Sequence, residues 1–351
     1  MTLRTTQMKY MKRLQAVSLV LGLALFAYLI YNIGVGQILH SVRLVGAAFI
    51  VLMLVSGMRH LLRAAAWKKC FEVDHRRRVS LFKLFNVRLA GEAIRYLSFT
   101  GPLLGEPAKA ALIKRHLPLA HGLSSVIIES LTYTLAAVVV IIAGLIFVLA
   151  NVTLDNNLRT AAVVISASVL FAVFLISRGI ARRYFVLARA MNRLARLTGR
   201  RWFAEKASSV ERIEESICNF YNQRERAFPY VLMLELASHA VSIFEVYLIL
   251  RFMGVEASLL TAFVIEAASK LINTAFFFVP GQVGVSEGGN ALLLRAIGLG
   301  ASTGIALALI EKIRTLAWAA YGLVALLILL RRNAKALAAY EDNDEGAEIL
   351  A

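Results

Sequence analysis

Long apolar runs without ionisable residues restrict this chain to a membrane fold. Residues 14–39 form a run of 26 residues without Asp, Glu, Lys, Arg or His, and about 20 apolar residues cross the hydrocarbon core of a bilayer. Similar runs of 25 and 18 residues occupy positions 130–154 and 160–177. Only 17% of the chain is charged and 59% is hydrophobic, whereas soluble domains have about 25% and about 45–50%. A soluble enzyme fold is therefore excluded.

The hydropathy pattern predicts an all-α polytopic membrane protein with about six full spans. Besides the three uncharged runs, the segments 44–66, 228–250 and 301–330 are long and apolar enough to cross a bilayer. The first run is too long for a signal peptide, so we expect an uncleaved anchor helix. Arg59 and Arg63 lie near the end of the second span, where long side chains are expected to reach the lipid headgroups.

The positions of the basic residues predict the orientation. Of the 39 Lys and Arg residues, 24 lie in four segments: before residue 14, at 67–78, at 178–226 and from residue 331 onward. The positive-inside rule places these segments and both termini in the cytoplasm. The net charge of +17 is thus an orientation signal, and nucleic acid is not an expected partner. We predict a multi-pass protein of the bacterial inner (plasma) membrane.

Two further segments, residues 80–116 and 258–299, each combine an apolar helix, a Gly/Pro loop and a half-length helix. A half-helix of about ten residues is only about 15 Å long and cannot cross alone. Irregular backbone at membrane depth is tolerated only inside protein or beside a watery cavity. We therefore predict two re-entrant helical hairpins, with these loop residues: Gly101, Pro102, Gly105, Pro280, Gly281, Gly284 and Gly288.

Acidic residues recur at matching places in the two segments and predict an internal repeat. The pairs, at offsets of 174, 181 and 182 residues, are Glu92 and Glu266, Glu106 and Glu287, and Glu129 and Glu311. Under the predicted topology the first hairpin enters from the cytoplasm and the second from outside, so the two repeats are inverted. Interrupted helices in inverted repeats indicate a transport site near the membrane midplane.

This interpretation divides the chain into six parts. In order they are a cytoplasmic N-terminus (1–13), a first anchor helix (14–43), repeat one (44–154) with hairpin 80–116, a fourth span with a basic cytoplasmic linker (155–227), repeat two (228–330) with hairpin 258–299, and a cytoplasmic acidic tail (331–351). Within the linker, the arginine-rich stretch 178–201 is typical of an amphipathic helix on an anionic membrane surface.

Ionisable and hydroxyl side chains near the two hairpins are the candidates for substrate binding and translocation. A charge at membrane depth costs at least about 2.5–3.5 kcal/mol, so such residues are expected to be functional. The candidates are Glu92, Glu106, Lys109, Glu129, Glu266, Lys270, Ser286, Glu287, Glu311, Lys312 and Arg314. Half-helix N-termini and the basic side chains would hold a headgroup phosphate, while Glu106 and Glu287 take up protons or pair with Lys. The alternative is that these two carboxylates only cap helices, and that Glu129 and Glu311 are structural.

No catalytic residue, metal site or cofactor is predicted. The sequence GVSEG at 284–288 matches the G-x-S-x-G hydrolase motif, but that motif requires a preceding strand and a later His, and no His follows His239. None of the six His residues has metal-ligand spacing to another His or to Cys. The two cysteines provide no disulfide framework.

The loop motifs GEPAK (105–109) and PGQVGVSEGG (280–289), joined by the basic linker, resemble the transmembrane region of lysylphosphatidylglycerol synthases and their stand-alone flippase-like relatives. The resemblance covers roughly residues 12–332. It implies a domain that moves a phospholipid or lipid-linked headgroup between leaflets, and some bacterial relatives are linked to hopanoid lipids. Many relatives carry a Glu-Arg pair after each half-helix, where this chain has Glu129-Ser130 and Glu311-Lys312.

The expected function is flippase-like translocation of a phospholipid or another polar-headgroup lipid. Lysyl transfer is not expected, because only about 20 residues follow the last span and the soluble aminoacyl-transferase domain would not fit. Two alternatives remain open: a membrane-embedded transferase, and a non-catalytic scaffold for a lipid- or envelope-modifying complex. The expected partners are membrane lipids, a lipid-synthesising enzyme and a second copy of the chain.

Overall fold

The computed structural model describes most of the chain from residue 45 to residue 349. The positions left out in this range are 98–100, 115, 152–159, 199–200, 224–226, 277–281, 283 and many of those between 160 and 185, and before residue 45 only residues 36 and 43 are described. The predicted anchor helix (14–43) and fourth span (160–177) therefore lie largely outside the described residues. Pro280 and Gly281 also lie outside them.

All regular secondary structure in the described residues is helical. The helices are α1 (Ala48–Cys70), α2 (Val73–Arg76), α3 (Leu81–Leu97), α4 (Gly101–Leu112), α5 (Leu119–Asn151), α6 (Val186–Thr198), α7 (Arg201–Gln223), α8 (Ala227–Phe252), α9 (Leu259–Ala275), α10 (Val285–Ala296) and α11 (Ala301–Ile349). The segment predicted as an acidic tail thus continues α11 as helix up to Ile349.

Four of these helices are long and apolar enough to cross a membrane: Ala48–Cys70, Leu119–Ala150, Ala227–Phe252 and Ala301–Arg331. They coincide with four of the six spans expected from the sequence. Large apolar side chains on their outer faces are exposed, for example Leu54 at 70% and Ile146 at 61%. Such faces match the hydrocarbon of a bilayer, which solvates apolar side chains as well as a protein core does.

The same series of helix lengths occurs twice along the chain. Helices α1, α3, α4 and α5 have 23, 17, 12 and 33 residues, and α8, α9, α10 and α11 have 26, 17, 12 and 49. The first helices of the two series, α1 and α8, pack antiparallel, since Arg59 meets Ser242 while Arg63 meets Glu235. In addition, α3 packs on α11 and α9 packs on α5. The second helix of each series thus packs on the long last helix of the other series.

The helices of the first hairpin, α3 and α4, cross very closely at two glycines. A Cβ on Gly105 would lie 2.7 Å from the Cβ of Arg95 and 3.0 Å from the carbonyl oxygen of Gly91. Any larger residue at either glycine would therefore push the two helices apart. Two glycines that let backbones approach in this way are common in membrane helix pairs.

The second hairpin, α9 and α10, is joined by a polar contact. The Ser269 hydroxyl donates to Oδ1 of Asn290 at 2.7 Å. One position earlier, a Cβ on Gly289 would lie 3.0 Å from Cγ2 of Ile272. In both hairpins the two helices are thus in direct contact, through different residues.

The loop residues differ from the sequence prediction in the first hairpin. Helix α4 begins at Gly101, so Gly101, Pro102 and Gly105 lie in its first turns and not in a loop. Proline is compatible with a first turn because the amide hydrogens there have no intrahelical acceptor. In the second hairpin Gly284 precedes α10 with a φ of +81°, whereas Gly288 lies inside α10 and faces open space.

Candidate functional site

Charged side chains from five helices meet beside the first hairpin. This first cluster contains four basic and four acidic residues, namely Arg63 on α1, Arg88, Glu92 and Arg95 on α3, Glu106 and Lys109 on α4, Glu129 on α5 and Glu235 on α8. The charges balance if all eight side chains are ionised. Balance of this kind is needed because an unpaired charge away from water is very unfavourable.

Glu129 is the centre of the first cluster. Its Oε1 accepts hydrogen bonds from Arg88 Nη1 at 2.7 Å and from Arg63 Nη2 at 2.9 Å. The side chains of Arg88 and Glu129 are 0% and 1% exposed. Arg88 also reaches Glu92 at 3.1 Å, and the Lys109 ammonium lies 4.0 Å from Glu129 Oε2. Helices α1, α3, α4 and α5 are thus all tied to one carboxylate.

The Arg63 side chain, which the sequence interpretation directed toward the headgroups, is mostly buried and paired with carboxylates of other helices. Its side chain is only 13% exposed, and its guanidinium carbon lies 3.5 Å from the centre of the Tyr133 ring. Its Nε is 3.5 Å from Glu235 Oε2. Because α8 runs antiparallel to α1, Glu235 lies beside Arg63 and pairs with it inside the protein.

Glu106 is paired and does not cap its helix. Lys109 Nζ lies 2.7 Å from Glu106 Oε1, and the Ser130 hydroxyl donates to Glu106 Oε2 at 2.9 Å. Because α4 begins at Gly101, Glu106 lies more than one turn inside the helix. The capping alternative is therefore wrong for this residue.

A second set of charged side chains lies around α9 and α11. This second cluster consists of Arg59 on α1, Glu245 on α8, Glu266 and Lys270 on α9, and Glu311 and Arg314 on α11. Lys270 pairs with Glu266 one helical turn away, and Arg314 pairs with Glu245 on another helix. Arg59 donates to Ser242 at 3.2 Å. The second cluster thus contains three basic and three acidic residues, and its charges also balance if all six side chains are ionised.

Glu287 both caps α10 and forms an ion pair. Its Oε2 accepts the backbone N–H of Gly284 at 2.9 Å and the Ser286 hydroxyl at 3.1 Å. Its other oxygen pairs with Lys312 on α11. Glu287 thus caps the start of α10 and also pairs with Lys312, so capping is not its only contact.

On the long helices α5 and α11, the residue directly after Glu129 or Glu311 contacts the hairpin carboxylate of the same series. Ser130, after Glu129, contacts Glu106, and Lys312, after Glu311, contacts Glu287. A serine cannot neutralise a carboxylate, so in the first series Lys109 supplies the positive charge from within α4. The two series therefore have the same contact but obtain its cation from different helices.

Several buried polar atoms in or beside the two clusters have no hydrogen-bond acceptor or donor among the described residues. They include Glu235 Oε1, Glu245 Oε2, Arg88 Nε and His239 Nε2. The ring of His239 stacks on Tyr133 with 4.7 Å between centroids, next to Arg63. Glu311 has no ion-pair partner within 4 Å in this part of the chain. These groups can therefore form further hydrogen bonds with a polar ligand.

All eleven candidate residues from the sequence are described, but the sequence missed much of the site. Six further charged residues take part: Arg59, Arg63, Arg88, Arg95, Glu235 and Glu245. The spacing of Arg88 and Glu92, one helical turn apart, was a usable signal. The partners across α1 and α8 carried no such signal, because their pairing depends on how those two helices cross.

Comparison with known proteins identifies the family of this chain. The family model of the lysylphosphatidylglycerol synthase transmembrane region matches residues 15–323, which include all helices from α1 to α10 and both clusters. No match was found among curated proteins or among solved structures. The protein is a multi-pass membrane protein that belongs to the lysylphosphatidylglycerol synthase transmembrane-region family.

Proposed function

We propose that the protein translocates a lipid with an anionic headgroup between the leaflets of the membrane. The observation that carries this proposal is the pair of charge-balanced clusters, one beside each hairpin, inside an apolar helical fold. A membrane protein gains little stability from such groups, since buried ion pairs are often no better than apolar packing. Intramembrane ionisable residues generally mark a path for a polar substrate.

The first cluster provides suitable chemistry for a phosphate-bearing headgroup. Three of its basic residues are arginines, which bind phosphate through two parallel hydrogen bonds. Arg95 is 48% exposed while its partner Glu92 is 17% exposed, so the cluster opens at this edge. A headgroup phosphate that enters there would replace Glu92 as the partner of Arg95 and then of Arg63. The acyl chains would remain in the bilayer beside the exposed apolar helix faces.

We further propose that the two series of helices are inverted repeats with the clusters near the membrane midplane. The antiparallel packing of α1 and α8 and the reciprocal packing of α3 on α11 and α9 on α5 support this arrangement. With the basic segments on the cytoplasmic side, the first hairpin faces the cytoplasm and the second faces the outside of a bacterial inner membrane. Rocking between the series would then expose one cluster at a time.

The proposal can be tested with the purified chain. Lipids that copurify are identified by mass spectrometry, and a fluorescent form of the enriched lipid is placed in liposomes with and without the protein. The expected result is exchange between leaflets, measured by chemical quenching of the outer leaflet, that depends on the protein. Chemical alteration of the lipid would indicate a transferase instead, and neither exchange nor alteration would indicate a scaffold, for which a lipid-synthesising enzyme is the expected partner.

A further inference from the structure

A group of potential metal ligands lies outside both clusters, where α1 ends and α5 begins. Glu72 precedes the short helix α2, His75 lies in it, and His121 lies in the first turn of α5. One donor atom from each residue lies within 4.8 Å of the other two. His75 and His121 are separated by 46 positions, so only the fold brings them together.

We propose that Glu72, His75 and His121 bind a divalent transition-metal ion of the zinc class. Two imidazoles and one carboxylate with an open fourth position are a common zinc ligand set. In a tetrahedral site with bonds of about 2.1 Å, neighbouring ligand atoms are roughly 3.4 Å apart. His121 Nε2 lies 3.7 Å from Glu72 Oε2, and all three donor atoms lie within 4.8 Å of one another, so a bound ion requires them to move closer together by about 1 Å.

The two imidazole rings lie close together. Their centroids are 5.0 Å apart and the rings are nearly perpendicular, at 85°. The Nδ1 atoms of His75 and His121 are buried and have no hydrogen-bond partner in the described part of the chain. His121 and Glu72 are 41% and 47% exposed, so an ion can enter from solvent.

The support beneath the site is rigid. Trp67 near the end of α1 donates to the Ser125 hydroxyl of α5 at 3.1 Å, and both residues are buried. Phe71 is also buried, directly before Glu72. Helices α1 and α5 are thus fixed relative to each other under the three ligands, and such preorganised support favours metal binding.

The adjacent arginines do not block the site. Arg76 turns back and donates to the carbonyl oxygens of Lys69 and Phe71 at 3.0 and 3.4 Å, which caps the end of α1. Arg77 and Arg78 are exposed to solvent. A bound ion would fasten the basic segment that contains α2 to the start of α5.

The site is tested with the full chain in detergent, stripped of metal and titrated with Co²⁺, whose visible absorption reports coordination, followed by displacement with Zn²⁺. One saturable site is expected in the unchanged protein. His75→Ala and His121→Ala should weaken binding by about 100-fold, since even outer partners of zinc ligands contribute 10–100-fold. His116→Ala removes an imidazole that contacts Lys83 Nζ and is not one of the three ligands, and this variant should bind normally.

Glu72→Gln keeps the shape of an exposed side chain and therefore separates ligand loss from misfolding. It should weaken binding at least tenfold, and Zn²⁺ should raise the melting temperature of the unchanged protein more than that of this variant. The proposal would be overturned if the unchanged protein showed no saturable Co²⁺ absorption. Equal affinity in Glu72→Gln, His121→Ala and His116→Ala would also overturn it.

Discussion

At the scale of single residues, the two hairpins meet the same requirement with different side chains. Each carries a carboxylate inside the apolar fold, and each carboxylate contacts the residue after a long-helix glutamate. In one hairpin that residue is Lys312 and in the other Ser130. The extra cation Lys109 in α4 is then explained as the substitute for the charge that Ser130 lacks.

This substitution leads to a first prediction. Lys109→Met should reduce leaflet exchange by about tenfold or more, which corresponds to about 1.4 kcal/mol, because it leaves Glu106 without a cation. Adding Ser130→Lys to Lys109→Met should restore a large part of the rate by providing the cation from α5, as Lys312 does from α11. The rates are measured in proteoliposomes, and no recovery in the double variant would contradict the equivalence of the two contacts.

The buried pair of Arg88 and Glu129 gives a second prediction at this scale. Arg88→Met should lower the unfolding free energy by about 3–5 kcal/mol, since it leaves a buried carboxylate with one partner fewer. Arg88→Met combined with Glu129→Leu should be less destabilising than the sum of the two single changes. Denaturant unfolding in detergent measures all three, and strict additivity would show that the two side chains do not interact.

At the scale of helices, the close crossing of α3 and α4 involves Gly105 together with Gly91. Gly105 lies at the crossing, whereas a Cβ on Gly288 would meet open space. Both hairpins carry two glycines four residues apart in the sequence, Gly101 and Gly105 in the first and Gly284 and Gly288 in the second. The motif alone could not tell close packing from a helix start.

A matched pair of substitutions tests this difference. Gly105→Ala should separate α3 from α4, because its Cβ would lie 2.7 Å from the Cβ of Arg95, and should lower both thermal stability and leaflet exchange. Gly288→Ala inside α10 should be neutral or stabilise by about 0.5–1 kcal/mol. Thermal unfolding in detergent checks both, and equal destabilisation by the two changes would contradict the close crossing.

Helix α6 has an apolar face that no described element covers. Leu187, Leu194 and Leu197 are 63%, 43% and 74% exposed, and Arg189, Arg193 and Arg196 lie on another side of the helix. The N-terminus of α6 is fixed by Glu214 of α7, whose carboxylate accepts the N–H groups of Leu187 and Ala188. This arrangement is typical of a helix that lies in a membrane surface.

Fluorescent labelling tests the position of α6. Both natural cysteines are buried, so a polarity-sensitive label on Leu197→Cys reports one site. Its emission should shift to the blue in anionic liposomes, and the same label on Asn192→Cys, on another side of the helix, should shift less. Equal emission from the two positions would contradict a surface-lying helix.

At the scale of the whole molecule, the sequence predicts the outline well because membrane helices are selected by length and apolarity. The hairpins and all six hairpin-related glutamates were recognisable, since Gly and Pro interrupt apolar helices and charges are rare there. The arginine partners were not. Arg63 was expected at the membrane surface, and only the crossing of α1 with α8 brings Glu235 within 3.5 Å. The ligands Glu72, His75 and His121 were missed for the same reason.

The whole fold also explains why both clusters are expected to be needed. Arg59 and Arg63 lie one turn apart on α1 but belong to different clusters. Helix α8 likewise reaches the first cluster with Glu235 and the second with Glu245. The antiparallel pair α1 and α8 therefore links the two sites, and a headgroup that leaves one cluster would reach the other along this pair.

The most direct test of lipid translocation is the rate of leaflet exchange in proteoliposomes that contain Glu106→Gln or Glu287→Gln. Both changes preserve side-chain shape, and Glu211→Gln at an exposed position of α7 serves as the control. Each hairpin variant should exchange lipid at least about tenfold more slowly while remaining folded and monodisperse, and the control should match the unchanged protein. Exchange at the full rate in both hairpin variants would contradict a role of the two clusters in lipid translocation.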